Sequence, residues 1–300
     1  MLPSVSSYIL HWVELNLDSG KNIGDMISTT GYSRKTVEKW FFREFGLSLG
    51  NYLFRRRMSR AAVLLRLTKL PITEIAELLH YSSSQNFARA YHRFTGKTPS
   101  EYRRSKNWDV SVLQYSFLYN INTNDIDECT LPERFLTGKT YHIQESFFYI
   151  PEDESFNGLQ KLIQKIFLNG DKDVFVSVKT INTPELSKSR NGIVNAEAVV
   201  GKLSEEKQGE TFRIPGGDFC HCHFVGSWRD YYIYSFTFFI KLLADGKYIY
   251  TGGNHYIDFH KAISMDDNTI SCDLFIPVKK HSDFYHQVIQ HDSNIIPRRC

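Results

Sequence analysis

Two groups of polar side chains in the first third of the chain have the types and spacing to read DNA bases. Lys35, Glu38 and Lys39 recur at helical spacing, so a helix would place them on one outward stripe. Gln85 and Arg89 lie 50 residues after Lys35 and Lys39. Lysine and arginine donate to guanine, glutamate accepts from cytosine N4, and glutamine pairs with adenine. These residue types therefore predict contacts to base edges in a major groove.

The predicted DNA contacts also include neighbouring side chains that would reach bases or phosphates. Arg55 and Arg56 are expected to contact phosphates from a helix between the two stripes. For Lys35 and Lys39, a solvated or phosphate-binding position is the alternative to base reading. The whole predicted set is Lys35, Thr36, Glu38, Lys39, Arg43, Arg55, Arg56, Ser84, Gln85, Asn86 and Arg89.

The elements that would position these side chains form an internal repeat. Residues 23–27 precede Gly31-Tyr32-Ser33, and residues 72–76 precede His80-Tyr81-Ser82. Each copy contains a short helix, a turn and a second helix opened by a serine cap. Gly31 can adopt the positive φ of a tight turn, and histidine is among the residues tolerated there. Two copies in phase predict two helix-turn-helix motifs.

A long amphipathic helix is predicted to connect the two motifs. Its opposite face carries Arg55, Arg56 and Arg60, which are expected to be exposed. Reading helices in successive major grooves on one side of a duplex must lie about 34 Å apart, and such a helix would fix that distance. Its apolar stripe consists of Leu49, Leu53, Met58, Ala61 and Leu65.

The charge distribution favours a polyanion as the partner of the first part. Residues 1–108 contain 17 Lys and Arg against 8 Asp and Glu, whereas residues 109–300 contain 19 against 25. A basic segment joined to an acidic one indicates that the basic segment binds nucleic acid and that the acidic segment has a different partner.

The first part contains a set of residues that a known family shares, namely Gly31-Tyr32-Ser33, Phe41, Arg55 to Met58, Ile72 to Ala76, Phe87, Arg89, Phe94, Gly96, Thr98-Pro99 and Tyr102 to Arg104. Through these residues it resembles the AraC/XylS family of bacterial transcription factors. The resemblance covers roughly residues 5–108, and the second copy matches better than the first. It implies double-stranded promoter DNA and RNA polymerase as partners. At Lys35 and at Glu38-Lys39, the nearest relatives have a tryptophan and a Gln-Arg pair, so the target sequence does not transfer.

The second part shows a β-α-β-β pattern twice. Helices are predicted at about 154–168 and 230–244, and the strands lie near 139–148, 174–181, 192–200, 218–225, 254–259 and 270–278. The predicted fold is therefore an all-α double helix-turn-helix domain followed by an α+β domain with helices on an antiparallel sheet. The predicted limits are 1–108 for the DNA-binding domain, 109–130 for a linker, 131–280 for the second domain and 281–300 for an irregular tail.

The second part resembles the gyrase-inhibitor-like effector-binding domain through Gly216 to Phe219 and Cys272 to Val278. The resemblance implies a cleft with an acidic residue on the last strand, at Asp273, where the family more often has glutamate. A small amphipathic ligand is the expected effector, with a cation favoured by the carboxylate, and it would be held by Phe219, Trp228, Tyr232 and Asp273. Core packing of the aromatic residues and a solvent-facing Asp273 are the alternatives.

The run Cys220-His221-Cys222-His223 has the residue types of a zinc site. On a strand, however, the cysteines would point to one face and the histidines to the other, which leaves two ligands where four are usual. We therefore expect no metal. The sequence contains no phosphate-binding loop, nucleophile elbow or dinucleotide fingerprint, so neither a cofactor nor an enzyme is expected.

We expect a monomer, because two reading helices on one chain are enough for two half-sites and the sequence shows no heptad or extra dimerisation segment. The remaining bulk features favour a protein of the bacterial cytoplasm, associated with the nucleoid. Five cysteines without framework spacing suggest reduced thiols, and no apolar run approaches the ~18 residues of a membrane span. The favoured function is a sequence-specific transcription regulator, more often an activator. The alternatives are an architectural or origin-binding protein without a ligand, and a hydrolase that uses a pocket carboxylate.

Overall fold

The computed structural model describes residues 5–105, 108–119, 121, 126–146, 158–180, 193–207, 211–244, 246–261 and 269–280. Within these residues the helices are α1 (Val5–Leu15), α2 (Ile23–Ser28), α3 (Arg34–Phe45), α4 (Leu49–Leu67), α5 (Ile72–Leu78), α6 (Ser84–Thr95), α7 (Pro99–Arg104), α8 (Gly158–Leu168) and α9 (Trp228–Ala244). The strands are β1 (Asp127–Leu131), β2 (Arg134–Ser146), β3 (Asp173–Thr180), β4 (Ile193–Ser204), β5 (Phe212–Ile214), β6 (Gly217–Ser227), β7 (Tyr248–Tyr250), β8 (His255–His260) and β9 (Thr269–Lys280).

The two predicted helix-turn-helix motifs are present, as α2–α3 and α5–α6. Gly31 has φ 72° and His80 has φ 57°, so both turns use the left-handed conformation that the sequence predicts. The hydroxyl of Ser33 accepts from the amide of Thr36, and that of Ser83 accepts from the amide of Asn86. These caps satisfy amides that the first turn of a helix leaves without a partner, and so fix where each reading helix begins.

The helix α4 connects the two motifs and is buried along its predicted apolar stripe. Leu49 and Leu53 belong to the core of the first motif, together with Ile9, Val37 and Phe41. The remainder of the stripe packs in the larger core that includes the second motif, and consists of Met58, Ala61 and Leu65. Because α4 contributes to both cores, the two motifs share one structural support.

The second part is a single antiparallel sheet with the strand order β1-β6-β9-β8-β3-β4-β2-β5, and β7 pairs with β9. The two predicted β-α-β-β units are β2-α8-β3-β4 and β6-α9-β8-β9, with β7 added. They join where β3 pairs with β8, in a register that places Val176 opposite Ile257. The predicted positions 147–148, 154–157, 181, 192 and the tail 281–300 lie outside the described residues.

The two faces of the sheet carry different side chains. Alternate residues such as Cys222, Phe259 and Cys272 belong to the large core that contains α8 and α9. The opposite face has a smaller apolar cluster that includes Phe175, Phe219 and Tyr256. Among the described residues, helices pack against the first face only, so a ligand is expected on the second.

The helical part and the sheet share one continuous apolar core. Residues of α4 and of the segment 110–121 belong to the same cluster as α9 and the sheet. Trp108 packs against Phe239 of α9 with ring centroids 5.4 Å apart, and the guanidinium of Arg60 lies 4.2 Å from the ring centroid of Phe236. Within the predicted linker, Val110, Leu113 and Ile121 are therefore buried in a core to which both parts contribute.

Candidate DNA interface and effector cavity

The first reading helix, α3, directs its apolar side chains inward and its basic ones outward. Val37 and Phe41 are buried. Lys35, Lys39 and Arg43 are exposed on the outer side of the helix, as the spacing predicts. Thr36 is half-buried, and its hydroxyl lies 2.8 Å from that of Ser33, so it contributes to the cap.

Glu38, the remaining candidate of α3, is engaged within the protein. Its carboxylate Oε2 accepts from the backbone N–H of Leu49, the first residue of α4, at 3.1 Å. The side chain is half-buried. In this arrangement Glu38 links the reading helix to the connecting helix.

The second reading helix, α6, has its polar side chains already held by hydrogen bonds. Gln85 and Arg89 are exposed. Arg89 donates to Oδ1 of Asn86, and Asn86 donates to the hydroxyl of Ser82 at 2.7 Å. Ser84 is half-buried beside them. This chain of contacts restricts the rotamers of Asn86 and Arg89 before any DNA is bound, which reduces the entropy lost on binding.

The expectation for Arg56 is wrong, because its side chain is buried. Arg56 is 0% exposed, and its Nε and Nη2 donate to the two carboxylate oxygens of Glu14 at 2.8 and 2.6 Å. Its Nη1 donates to the carbonyl of Gln114 at 2.7 Å. Arg60, 7% exposed, is also buried rather than solvated. Arg55 alone of the three is exposed and remains a candidate phosphate contact.

The four predicted effector residues do not form one pocket. Trp228 is 0% exposed and packs against Phe259 in the core on the helix side of the sheet, and Tyr232 packs against the same core. Phe219 is buried on the opposite face, against Tyr256 at a centroid distance of 5.0 Å. Asp273 alternates with the buried Cys272 and Leu274 and so lies on that opposite face. The prediction that these four residues hold one ligand is therefore wrong.

Asp273 is surrounded by imidazoles of its own chain. Its Oδ1 accepts from Nε2 of His221 and from Nδ1 of His223, and its Oδ2 accepts from Nε2 of His260, each at 2.9 Å. Burial opposes ionisation of this carboxyl, but the hydrogen bonds from the three histidines lower its pKa to about 2. Cys220 and Cys222 are buried on the other face, as the alternation predicts.

A cavity next to this cluster contains a second carboxyl group, for which burial outweighs the attraction of nearby cations. Asp258 lies opposite Asp273 in the pairing of β8 with β9. Burial raises the pKa of Asp258, and repulsion from Asp273 adds to this, although attraction to His260 and to Arg134 opposes it. The cavity encloses about 370 Å³, including open solvent at its mouth. Its lining residues are Leu131, Pro132, Arg134, Phe175, Ile214, Tyr256, Asp258 and Phe275. Sequence reasoning missed Asp258 because only strand register places it beside Asp273.

Known proteins resemble the chain over both parts. A family described as "Helix-turn-helix domain" matches residues 26–105. The F1 operon positive regulatory protein of Yersinia pestis is 27% identical over 290 residues, covering 96% of this chain and 93% of the relative. The HTH-type transcriptional activator AarP of Providencia stuartii is 35% identical and covers 34% of this chain and 76% of the relative. The right origin-binding protein of Escherichia coli is 37% identical over 130 residues, 43% of either chain.

The two capped reading helices and the family match define a DNA-binding protein of the helix-turn-helix class. The chain belongs to the AraC/XylS family of transcription regulators. The predicted family and fold class are thereby confirmed. No helix among the described residues is long and apolar enough to cross a membrane.

Proposed function

We propose that the chain is a monomeric, sequence-specific transcription regulator that inserts α3 and α6 into two successive major grooves. The observation that carries this proposal is that one chain has two capped reading helices with exposed polar stripes, both supported by α4. A single chain can then occupy two half-sites on the DNA, so we expect binding to an asymmetric site without dimerisation. The proposed contacts are Lys35, Thr36, Lys39, Arg43, Arg55, Ser84, Gln85, Asn86 and Arg89.

Selection of bound fragments from a random DNA pool tests this proposal on the full chain. We expect one enriched sequence with two half-sites about 10 base pairs apart, and a discrete footprint that covers both. Sedimentation of the complex should give one protein per site. A diffuse footprint without an enriched sequence would contradict the proposal and favour the architectural alternative.

We further propose that the regulator acts as an activator at the nucleoid of the bacterial cytoplasm and has no enzymatic activity. The support is that two relatives have activating roles in their names, and one of them spans 96% of this chain. RNA polymerase is the expected partner. Transcription in vitro from a promoter with the selected site should increase when the protein is added, and a decrease would instead indicate a repressor.

The cavity supports a second role, the binding of a small apolar cation. Six apolar or aromatic residues line the cavity beside Asp258, namely Leu131, Pro132, Phe175, Ile214, Tyr256 and Phe275. Burial makes the ionised carboxyl costly, and attraction to His260 and Arg134 compensates for this only in part, since the pKa of Asp258 is still raised. A ligand cation would offset that cost, and the rings of Phe175, Tyr256 and Phe275 would add cation–π attraction. Asp258 replaces Asp273 in this proposal, because the three histidines already hold Asp273.

Calorimetric titration of phenethylammonium and of neutral phenethyl alcohol against the full chain tests the cavity. We expect the cation to bind more tightly than the alcohol, and Asp258→Asn to remove the difference. Asp218→Asn, an exposed carboxyl on β6, is the matched control and should leave the difference intact. Equal binding of cation and alcohol to the wild type would contradict a cation-binding role.

A further inference from the structure

The contact between Glu38 and Leu49 joins a reading helix to the connecting helix. The first amides of a helix have no partner inside it, and an anionic acceptor is favourable at that end. Ser48 caps α4 by accepting from the amide of Asn51, and Glu38 accepts from that of Leu49. Withdrawing Glu38 toward a base would leave the amide of Leu49 without this acceptor.

The second motif provides an internal comparison, because from the reading helix onward its elements repeat those of the first at an offset of 50 residues. The reading helices begin at Arg34 and Ser84, and the following helices begin at Leu49 and Pro99. Left-handed glycines end both reading helices, Gly46 with φ 73° and Gly96 with φ 72°. Residues 50 apart are therefore structurally equivalent in this region.

At the two positions of the contact, the repeat changes both partners together. Ala88 occupies the position of Glu38, and Pro99 occupies the position of Leu49. Proline has no backbone N–H, so the second motif has neither the donor nor the acceptor. The first motif has both. If Glu38 has a structural role, its presence should accompany a donor at residue 49, as it does in the first motif. If residue 38 only contacted a base, its identity would not depend on residue 49.

The outward stripe of α3 contains another side chain that is available to DNA. Phe42 is 58% exposed and lies seven residues after Lys35 and three after Lys39, on the same side of the helix. It is flanked by Lys39 and Arg43, for which the described residues show no ion pair. Single exposed aromatic residues are common, but this one lies among the cations of a reading helix. An apolar side chain there can contact the methyl group of thymine.

We propose that Phe42 reads a thymine methyl group, and that Glu38 is a positioning residue that holds α3 on α4. Lys35, Lys39 and Phe42 then form the reading stripe of the first motif. This inference rests on the proposed function, because it requires α3 to lie in a major groove.

The role of Phe42 is tested by removing one methyl group from the DNA. The selected site is synthesised with deoxyuridine in place of thymidine at each position of the first half-site in turn. We expect one replacement to weaken binding of the full chain about fourfold, the worth of one buried methyl-sized group. Phe42→Ala should bind both DNAs equally. Phe212→Ala, another exposed phenylalanine, is the control and should respond to the replacement as the wild type does. If no replacement distinguishes the wild type from Phe42→Ala, Phe42 does not read thymine.

The role of Glu38 is tested with Glu38→Gln and Glu38→Ala on DNA pools whose half-site spacing varies by one base pair. The amide oxygen of glutamine can still accept from Leu49, so Glu38→Gln should keep both the base preferences and the single spacing of the wild type. Glu38→Ala should tolerate the altered spacings, because α3 loses its anchor on α4, while base preferences stay unchanged. A switch from cytosine to adenine at one position in Glu38→Gln would show that residue 38 reads a base and would overturn the proposal.

The wild-type selection separates failure of this inference from failure of the proposed function. If the wild type enriches no sequence, α3 does not read DNA and both ideas fail. If the wild type enriches a two-part site but the variants behave otherwise than described, only the roles of Phe42 and Glu38 are wrong. Thermal unfolding of each variant, followed by circular dichroism, ensures that only folded protein is compared.

Discussion

Arg55 and Arg56 are adjacent in α4 but have opposite surroundings. Arg55 is exposed, whereas Arg56 is 0% exposed and makes hydrogen bonds to Glu14 and Gln114. Burial disfavours both charges of the pair, but mutual attraction lowers the pKa of Glu14 and raises that of Arg56. The pair therefore stays ionised inside the core.

We expect Arg56→Ala to lower the free energy of unfolding by about 3–5 kcal/mol, because it leaves Glu14 as a buried charge without its partner. Arg55→Ala should change stability by less than about 0.5 kcal/mol. It should instead reduce the dependence of DNA affinity on salt by about one unit of slope. Urea denaturation and salt titrations measure the two effects. Equal stability of the two variants would contradict a structural role for Arg56.

His260 lies between two carboxylates on the exposed face of the sheet. Its Nδ1 donates to Asp173 and its Nε2 donates to Asp273, each at 2.9 Å, which requires a doubly protonated ring. Burial disfavours the cation, but these hydrogen bonds raise the pKa of His260 above its ordinary value of 6.5. The sheet should therefore respond to pH in the range where histidine titrates.

The direction of that response follows from linkage. A raised pKa in the folded state stabilises the protein below the unfolded pKa of about 6.5, and the contribution is lost as pH rises through the folded value. The lowered pKa of Asp273 gives stability above its ordinary value of 3.8, lost as pH falls toward about 2. His255, whose pKa burial lowers to about 4, acts in the opposite direction, because it gains a proton in the unfolded state below about pH 6.5. The contribution of His260 is therefore isolated by comparison: His260→Gln should lose more stability relative to the wild type at pH 6 than at pH 8.5. An unchanged pH profile in that variant would show that His260 does not contribute.

At the scale of elements, the sequence predicts what depends on local chemistry. Caps such as Ser33, the left-handed turns at Gly31 and His80, and helical spacing place both reading helices within a residue or two. Burial of Arg56 is not predictable in this way, because its partner Glu14 is 42 residues distant and a helical wheel assigns any charge to solvent. The proximity of Asp258 to Asp273 depends on strand register, which no local pattern encodes.

The second reading helix gives a prediction about specificity. Arg89 is exposed and is oriented by Asn86, whereas Arg93, one turn later, has its guanidinium 5.8 Å from the ring centroid of Phe54. Arg89→Ala should cost about 1–3 kcal/mol at one base position and relax the preference there. Arg93→Ala is the control and should weaken all sequences alike. Repeated selection with both variants measures this, and the same uniform loss in both would contradict base reading by Arg89.

At the scale of the whole molecule, the predicted domain limit at residue 108 separates groups that contact each other. The amide of Gln114 donates to the hydroxyl of Ser59 at 2.7 Å, and its carbonyl accepts from the buried Arg56. The ring of Phe117 stacks on Tyr52 with centroids 4.8 Å apart. The segment that follows residue 108 therefore completes the core around α4.

These contacts predict how two fragments of the chain should differ. A fragment of residues 1–108 removes an acceptor of the buried Arg56, and a buried group left without a partner costs about 1–3 kcal/mol. A fragment of residues 1–121 retains that acceptor and the stacking of Phe117. For a domain of this size, the longer fragment should unfold at least about 4 °C higher. Both fragments contain the two reading helices, so both should select the same DNA sequence. At 37 °C the shorter fragment should bind this sequence less tightly, and only because a larger fraction of it is unfolded. Thermal unfolding and DNA titration of the two fragments test this directly. Identical melting temperatures would show that residues 109–121 add nothing to the DNA-binding unit, and that its limit lies at residue 108.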